Sequence, residues 1–282
     1  MLTIVHASDI HFGAPFRADV AEVFLEAAHR VEPDVVVISG DLTQRAKVHE
    51  FEAAAAFLER LPAVPRIVVP GNHDVPLYRV WERLTAPHRN YRRLIDDRLD
   101  TVTRVPGATF VGLDSTAPHT AIVNGRIRAR QVGFAQAEFA RTPATDLRVV
   151  VAHHHFAPAP DYEGDRSMPR ARDVLDDFTD MGVELILGGH LHRAYIGDSL
   201  DVSTGRRPDR GVVIVQSGTT TSARGRARER AKNSFNVLRV GDDTLQVTHY
   251  MHFETGPGET GAGFHPFSEH VFPRRRHLWL PG

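Results

Sequence analysis

The chain has no cysteine among its 282 residues. Disulfides are therefore excluded, and any bound metal must be held by nitrogen and oxygen donors. Lysine is nearly missing too, occurring only at Lys47 and Lys232, so almost all of the basic charge is arginine. Neither sign of charge is in excess: 34 Lys and Arg stand against 35 Asp and Glu, a net charge of −1 with a pI near 7.0. That balance gives no electrostatic footprint for a nucleic acid or an anionic membrane. No apolar run approaches the roughly 20 residues of a bilayer-spanning helix. Met1-Leu2-Thr3-Ile4-Val5 enters a strand pattern directly, with no basic leader, long apolar stretch or cleavage site. A cytoplasmic protein is the expectation.

What is present suits a core. Apolar residues make up 41% of the chain. Residues 2–7, 35–38 and 66–70 read as short strands, separated by helical patterns at 19–31 and 47–61. Fully apolar runs such as Val35-Val36-Val37-Ile38 suit strands covered on both faces. Residues 76–100 read as helical or irregular. Further strands are expected at 108–113, 147–152 and 183–187, with helices at 127–141 and 170–181. This is an α/β layout. After residue 195 the helical patterns stop. Strands at 212–216, 235–240 and 245–250 suit antiparallel pairing in a second sheet. The division expected is one domain over 1–251 and a Gly-, Pro- and His-rich extended tail over 252–282.

The strand ends carry the chemistry. Asp9 and His11 follow the first strand, and Asp41 the second. Gly71-Asn72-His73-Asp74 follows the third. His153 follows a later strand, and His190 and His192 the last of the α/β part. In open α/β sheets the carboxyl ends of strands gather at one edge, where ligands bind. Four imidazoles, two carboxylates and one amide are the donors that two divalent ions require. One carboxylate must bridge ions about 3.5–4 Å apart, and Asp41, alone at its strand end, is the candidate. Asp9 and His11, two residues apart on an extended segment, project to the same side. His73 can move a proton, and Asp74 can cap the turn or steer the imidazole. Each residue alone has a plainer reading: an Asp after a strand is usually a turn or cap, and a strand His such as His6 is usually a satisfied core group. Packing does not explain five strand ends that carry donors together.

Asp9-Ile10-His11, Gly40-Asp41, Gly71-Asn72-His73-Asp74, His153 and Gly189-His190-Leu191-His192 resemble the five signature blocks of the calcineurin-like metallophosphoesterase superfamily, in order. The resemblance implies a four-layer α/β/β/α sandwich of two mixed sheets, with a dinuclear metal site at the strand C-terminal edge. It implies that Asp9, His11 and His192 hold one ion, that Asn72, His153 and His190 hold the other, and that Asp41 bridges. His73 would contact the phosphate and protonate the leaving oxygen. The family block usually reads His-His-Pro or His-Gly-Gly, whereas here it is His153-His154-His155-Phe156, so His154 stays open as the alternative to His153. The stretch from Gly40 to Asp74 is most similar to the bacterial branch of class III cyclic-nucleotide phosphodiesterases. Thr43-Gln44-Arg45 replaces the Asp-Arg pair of the protein-phosphatase branch.

The expected activity is hydrolysis of a small-molecule phosphodiester, of the cyclic-nucleotide or glycerophosphodiester type, by a hydroxide bridging two ions. Imidazole and carboxylate donors suit Mn²⁺, Fe²⁺ or Zn²⁺ better than Ca²⁺ or Mg²⁺. A DNA exonuclease, a phosphomonoesterase and a non-catalytic scaffold on the same fold are the alternatives. The near-neutral chain disfavours nucleic acid and membrane as partners, and a homodimer is left open. The basic stretch from Arg224 to Lys232 reads as a solvated loop, with a phosphate-steering rim as its second reading. Asp114-Ser115 reads as a strand-end turn that can also line the pocket.

Overall fold

A computed structural model describes residues 1–120, 122–156, 167–201, 205–206, 210–226, 229–254 and 262–274. The first half runs β1 (Leu2–Ala7), α1 (Ala18–Val31), β2 (Val35–Ile38), α2 (Val48–Leu58) and β3 (Arg66–Val68). Two short helices follow, α3 (Val80–Thr85) and α4 (Arg89–Leu94). Next come β4 (Thr101–Val105), β5 (Ala108–Gly112), α5 (Ala129–Phe139), β6 (Leu147–Val151), α6 (Ala171–Asp180) and β7 (Leu185–Gly188). The chain closes with β8 (Tyr195–Asp198), β9 (Val213–Gln216), β10 (Ser234–Val240), β11 (Thr244–Phe253) and β12 (Gly263–Pro273). Local chemistry sets the helix ends. Asp19 lies in the first turn of α1 and His29 and Arg30 in its last, matching the helix dipole. Glu50 caps α2 by accepting the backbone N–H groups of Arg45 (2.8 Å) and Lys47 (3.2 Å).

Two six-stranded mixed sheets result, ordered β12-β11-β10-β1-β2-β3 and β4-β5-β6-β7-β9-β8. Side-chain alternation on each strand separates three layers of core. Val5, Val36 and Ile38 face α1 and α2, against Phe24, Phe51 and Phe57. Ile4, Val35 and Val37 face the other way, onto Phe110, Val149 and Leu185 of the second sheet. Val111, Val150 and Ile186 then meet Phe139 of α5 and Phe178 of α6. The architecture is thus the α/β/β/α sandwich expected.

Three placements differ from the sequence reading. β10 and β11 do not build the second sheet: they extend the first, with β10 antiparallel to β1. β9 does join the second sheet, parallel to β7 and antiparallel to β8. β4 and β8 are short edge strands whose half-buried residues give no clean alternation. The segment read as an extended tail contains β12, an edge strand paired along the length of β11. Its prolines at 266 and 273 are tolerated because only one side of an edge strand is hydrogen-bonded. Arg274 pins its end, with Nη2 and Nε donating to the Glu184 carboxylate and Nη1 to the Gly241 carbonyl. The remaining tail residues, 255–261 and 275–282, lie outside the described residues. No helix among the described residues is long and apolar enough to cross a membrane.

His249 on β11 is buried, and burial holds its pKa down at about 4. Its unfolded value lies near 6.5, so between those values the unfolded chain binds the extra proton. Folding stability contributed at this site is therefore lost as pH falls below about 6.5, by about 1.4 kcal/mol per pH unit. Urea unfolding at pH 7.5 and 5.5 is expected to show a smaller loss in His249→Gln than in the parent, by about 1.4 kcal/mol.

Candidate metal centre

β1, β2 and β3 end beside one another in the first sheet, and β6 and β7 end in the facing one. The loops beyond them are stitched together by backbone. The N–H groups of Asp9, His11 and Phe12 donate to the carbonyls of Gly40 (3.0 Å), Asp41 (2.9 Å) and Leu42 (2.8 Å). Gly189 N–H donates to the His153 carbonyl at 3.0 Å. Among the described residues nine non-glycine residues have φ between 50° and 75°, and five of them are Asp9, His11, Asp41, His190 and His192. A left-handed backbone costs a residue with a Cβ on the order of 1–3 kcal/mol, so it persists only where the surroundings impose it. These kinks aim the side chains inward. The extended-strand argument for Asp9 and His11 is thereby corrected: they converge through two left-handed turns, not through alternation. Gly71 is needed for close approach, because a Cβ there would overlap Asp41 Oδ1 and the Asp41 backbone nitrogen.

The Asp9 and Asp41 carboxylates are each tied by one oxygen and open at the other. Asp9 Oδ2 accepts the His190 N–H (3.0 Å), and Asp41 Oδ1 accepts the His73 N–H (2.8 Å). Asp9 Oδ1 and Asp41 Oδ2 are buried with no hydrogen-bond partner. They face imidazole nitrogens instead. His192 Nε2 lies 3.4 Å and His11 Nε2 3.6 Å from Asp9 Oδ1. Asp41 Oδ2 lies 3.6 Å from His11 Nε2 and 3.4 Å from His153 Nε2. The Nε2 atoms of His11 and His192 are 3.4 Å apart. Donor atoms of Asp9, His11, Asp41 and His192 all fall within 4.8 Å of one another. Next to them, Asn72 Oδ1 sits 2.9 Å from His190 Nδ1 and 3.3 Å from His153 Nε2. His153 Nδ1–H donates to the Ser39 carbonyl at 2.8 Å, which directs its Nε2 into the cluster. Bare oxygens and facing imidazole lone pairs are hard to justify by packing, and they fit divalent cations that accept mixed nitrogen and oxygen donors.

The electrostatics agree. Burial pushes the Asp9 carboxyl up, but His192, His11 and His153 outweigh it and hold the pKa at about 2. Asp41 is likewise buried, and His153 and His73 hold it well below the usual carboxylate range. Burial opposes charge on His153, yet Asp41 and Asp9 draw its pKa up to about 9. Burial pushes His192 down to about 3 and His190 well below its ordinary value.

All seven expected donors are brought together. His153 rather than His154 reaches Asp41 and Asn72; His154 Nδ1 lies against Ser115 Oγ at 2.8 Å, placing Asp114-Ser115 behind the cluster. Of the two roles open to Asp74, it takes the cap of the turn, accepting from Gly71 N–H, and the expectation that it steers His73 is corrected. Asp74 accepts from the N–H groups of Leu42 (3.1 Å), Thr43 (2.9 Å) and Gly71 (2.9 Å) and from the Thr43 hydroxyl (3.0 Å). Burial and the Asp41 charge push its pKa up to about 6. His73 Nδ1 is held instead by the Gln44 carbonyl, 3.0 Å away. Gln44 was unmarked as a site residue in the sequence, where it registers only as a departure from the Asp-Arg pair. Its side-chain oxygen accepts from half-buried Arg224 (3.0 Å), whose charge is felt by Asp41, Asp9, His73 and His192. Arg224 is therefore no part of a solvated loop, whereas Arg228 of the same stretch lies outside the described residues.

Residues 2–194 match the family model of calcineurin-like phosphoesterases. No curated protein matches the chain in sequence. The fold is similar to that of PhoD, with a TM-score of 0.69 at 13% identity, covering 98% of this chain and 70% of that one. It is similar to purple acid phosphatase PPD1 from yellow lupin (Lupinus luteus), with a TM-score of 0.66 at 14% identity, covering 97% of this chain and 54% of that one. The present chain thus spans about half the length of the lupin protein. A dimetal phosphatase from Danio rerio gives a TM-score of 0.60 at 14% identity over 95% of this chain and 99% of its own. At such identities the likeness is one of fold.

Replacing Asp74 strands three buried backbone N–H groups from two loops, each costing about 1–3 kcal/mol when unpaired, while the Thr43 hydroxyl keeps the His73 carbonyl at 3.1 Å. Asp74→Ala is expected to lose at least about 3 kcal/mol of stability in urea unfolding. Unchanged stability together with lost turnover would instead make Asp74 part of the chemistry.

Proposed function

The chain belongs to the calcineurin-like phosphoesterase family, and on that premise we propose that it is a metal-dependent phosphoester hydrolase whose substrate is a small-molecule phosphodiester. One observation carries the two-metal part of this reading: Asp41 Oδ2 is set between His11 Nε2 (3.6 Å) and His153 Nε2 (3.4 Å), a single open oxygen shared by two donor groups. In the proposal Asp9, His11, Asp41 and His192 hold one cation, and Asp41, Asn72, His153 and His190 hold the other. What such a pair supplies, when bound, is charge withdrawal from the phosphoryl oxygens and a nucleophile drawn from water near neutral pH. Mn²⁺, Fe²⁺ and Zn²⁺ suit the donor set.

The chain's own residues do the rest. His73 stands over His11, ring centroids 4.9 Å apart and edge-on. With Nδ1–H donated to the Gln44 carbonyl, Nε2 carries a proton only in the imidazolium, a form that burial opposes and the Asp41 charge favours; from that form Nε2–H would protonate the departing alkoxide. Arg224 offers a guanidinium to the phosphoryl anion from its seat on Gln44. The similarity of the Gly40–Asp74 stretch to class III cyclic-nucleotide phosphodiesterases supports a diester, and the net charge of −1 speaks against a nucleic acid. A phosphomonoesterase is the second reading, favoured by the lupin and Danio rerio structures, which are both phosphatases.

Turnover of bis-p-nitrophenyl phosphate and cyclic AMP with Mn²⁺, but not of p-nitrophenyl phosphate or single-stranded DNA, is the expected result. Monoester-only turnover would establish the second reading. His73→Ala is expected to keep its metal and to lose about 10²–10⁴ in kcat. Asp41→Ala is expected to lose metal and activity together, as read by metal analysis beside the assay. Arg224→Ala is expected to lower kcat/KM about tenfold or more, the scale of a lost hydrogen bond to a charged group.

A further inference from the structure

Beyond the metal centre, a cavity of about 600 Å³ opens where β8 of the second sheet faces β11 and β12 of the first. None of the seven donors lines it. Four rings do: Tyr195, His249, Phe267 and His270. His249 and Phe267 stand edge to face, with centroids 6.4 Å apart and planes at 79°. Phe267 is 60% exposed, a large aromatic side chain left in water at this edge. Ile196 and Met251 supply aliphatic wall. Two cations, Arg193 and Lys232, supply positive charge. The one carboxylate present, Glu229, accepts from the Ala194 N–H (2.6 Å) and the Ser234 hydroxyl (2.9 Å), and both cations act on its charge, which leaves the lining with one positive charge in excess. His249 adds a polar group: its Nδ1 meets Asn236 Oδ1 at 2.9 Å, while its buried Nε2 makes no hydrogen bond and has Glu229 Oε1 at 4.0 Å.

We propose that this cavity is a second ligand site, separate from the metal centre, for a flat aromatic anion. Rings favour an aromatic guest through edge-to-face and stacked contacts. Lys232, exposed at the rim, favours an acidic substituent on it. A volume of this size lies in the range that small-molecule pockets occupy, about 300–1,000 Å³. The site shares a wall with the metal-bearing loop, because Arg193 and Ala194 follow His192 directly and the Arg226 N–H donates to the His192 carbonyl at 3.0 Å.

The test is a fluorescence titration of the full chain with 1-anilinonaphthalene-8-sulfonate, an aromatic anion. Saturable binding of one probe per chain is expected. Ile196→Trp, which fills the cavity, and Lys232→Glu, which reverses a charge at an exposed position, are each expected to weaken it by about tenfold or more. Trp81→Ser, which removes a 78%-exposed aromatic elsewhere, is expected to leave it unchanged. Should Ile196→Trp fail to fold, Lys232→Glu carries the test alone. No saturable binding, binding indifferent to Lys232→Glu, or binding lost in Trp81→Ser would overturn the site. Displacement of the probe by decanoate as readily as by naphthalene sulfonate would overturn the aromatic class of ligand.

Discussion

Two carboxylates sealed from water, each with one oxygen left bare, are the constraint around which this molecule is built. An ionised carboxylate in a protein interior is costly unless something positive stands beside it. Asp9 and Asp41 are both fully buried. Their neighbours are imidazoles, which are cationic only when protonated, and burial opposes protonation at His190 and His192. The cluster is therefore under-supplied with positive charge, and His153 makes up part of the shortfall with its proton. Divalent cations would relieve the same imbalance more fully. The imbalance that makes the arrangement costly is also what makes it a fit for divalent cations.

Holding such a cluster requires stiff loops. Backbone ladders join the loop after β1 to the loop after β2, and Asp74 joins the latter to the loop after β3. The left-handed turns at five of the donors would relax if those loops were free. Strain is thus stored at the site and resisted by hydrogen bonds just behind it. Gln44 extends the same economy: its carbonyl orients His73 and its side chain orients Arg224.

Side-chain identity at strand ends made much of this site readable before any coordinates. Asp, Asn and His in those places stand out because packing has no use for them. What was unreadable is equally physical. Gln44 acts through its carbonyl, a group every residue owns, so no residue type announces it. Arg224 sits in a run of arginines whose composition reads as a wetted loop, and only its seat on Gln44 distinguishes it. The core strands were legible from their apolar runs, yet a run does not say which sheet it enters: β10 and β9 look alike, and they lie in different sheets. Edge strands β4, β8 and β12 bury too little to carry a clear period.

The pairing of β1 with β10 has a consequence for biogenesis. Leu2 lies opposite Val240, so one flank of β1 is filled by a strand synthesised much later. While the ribosome is still adding residues 8–233, β1 can pair with β2 on one side only and presents an open edge on the other. Contacts of such long sequence separation form slowly, and unpaired strand edges invite association between nascent chains. Completion of the first sheet must therefore await the synthesis of β10, which begins only at Ser234, so the open flank of β1 outlasts the making of every helix from α1 to α6 and of the whole second sheet.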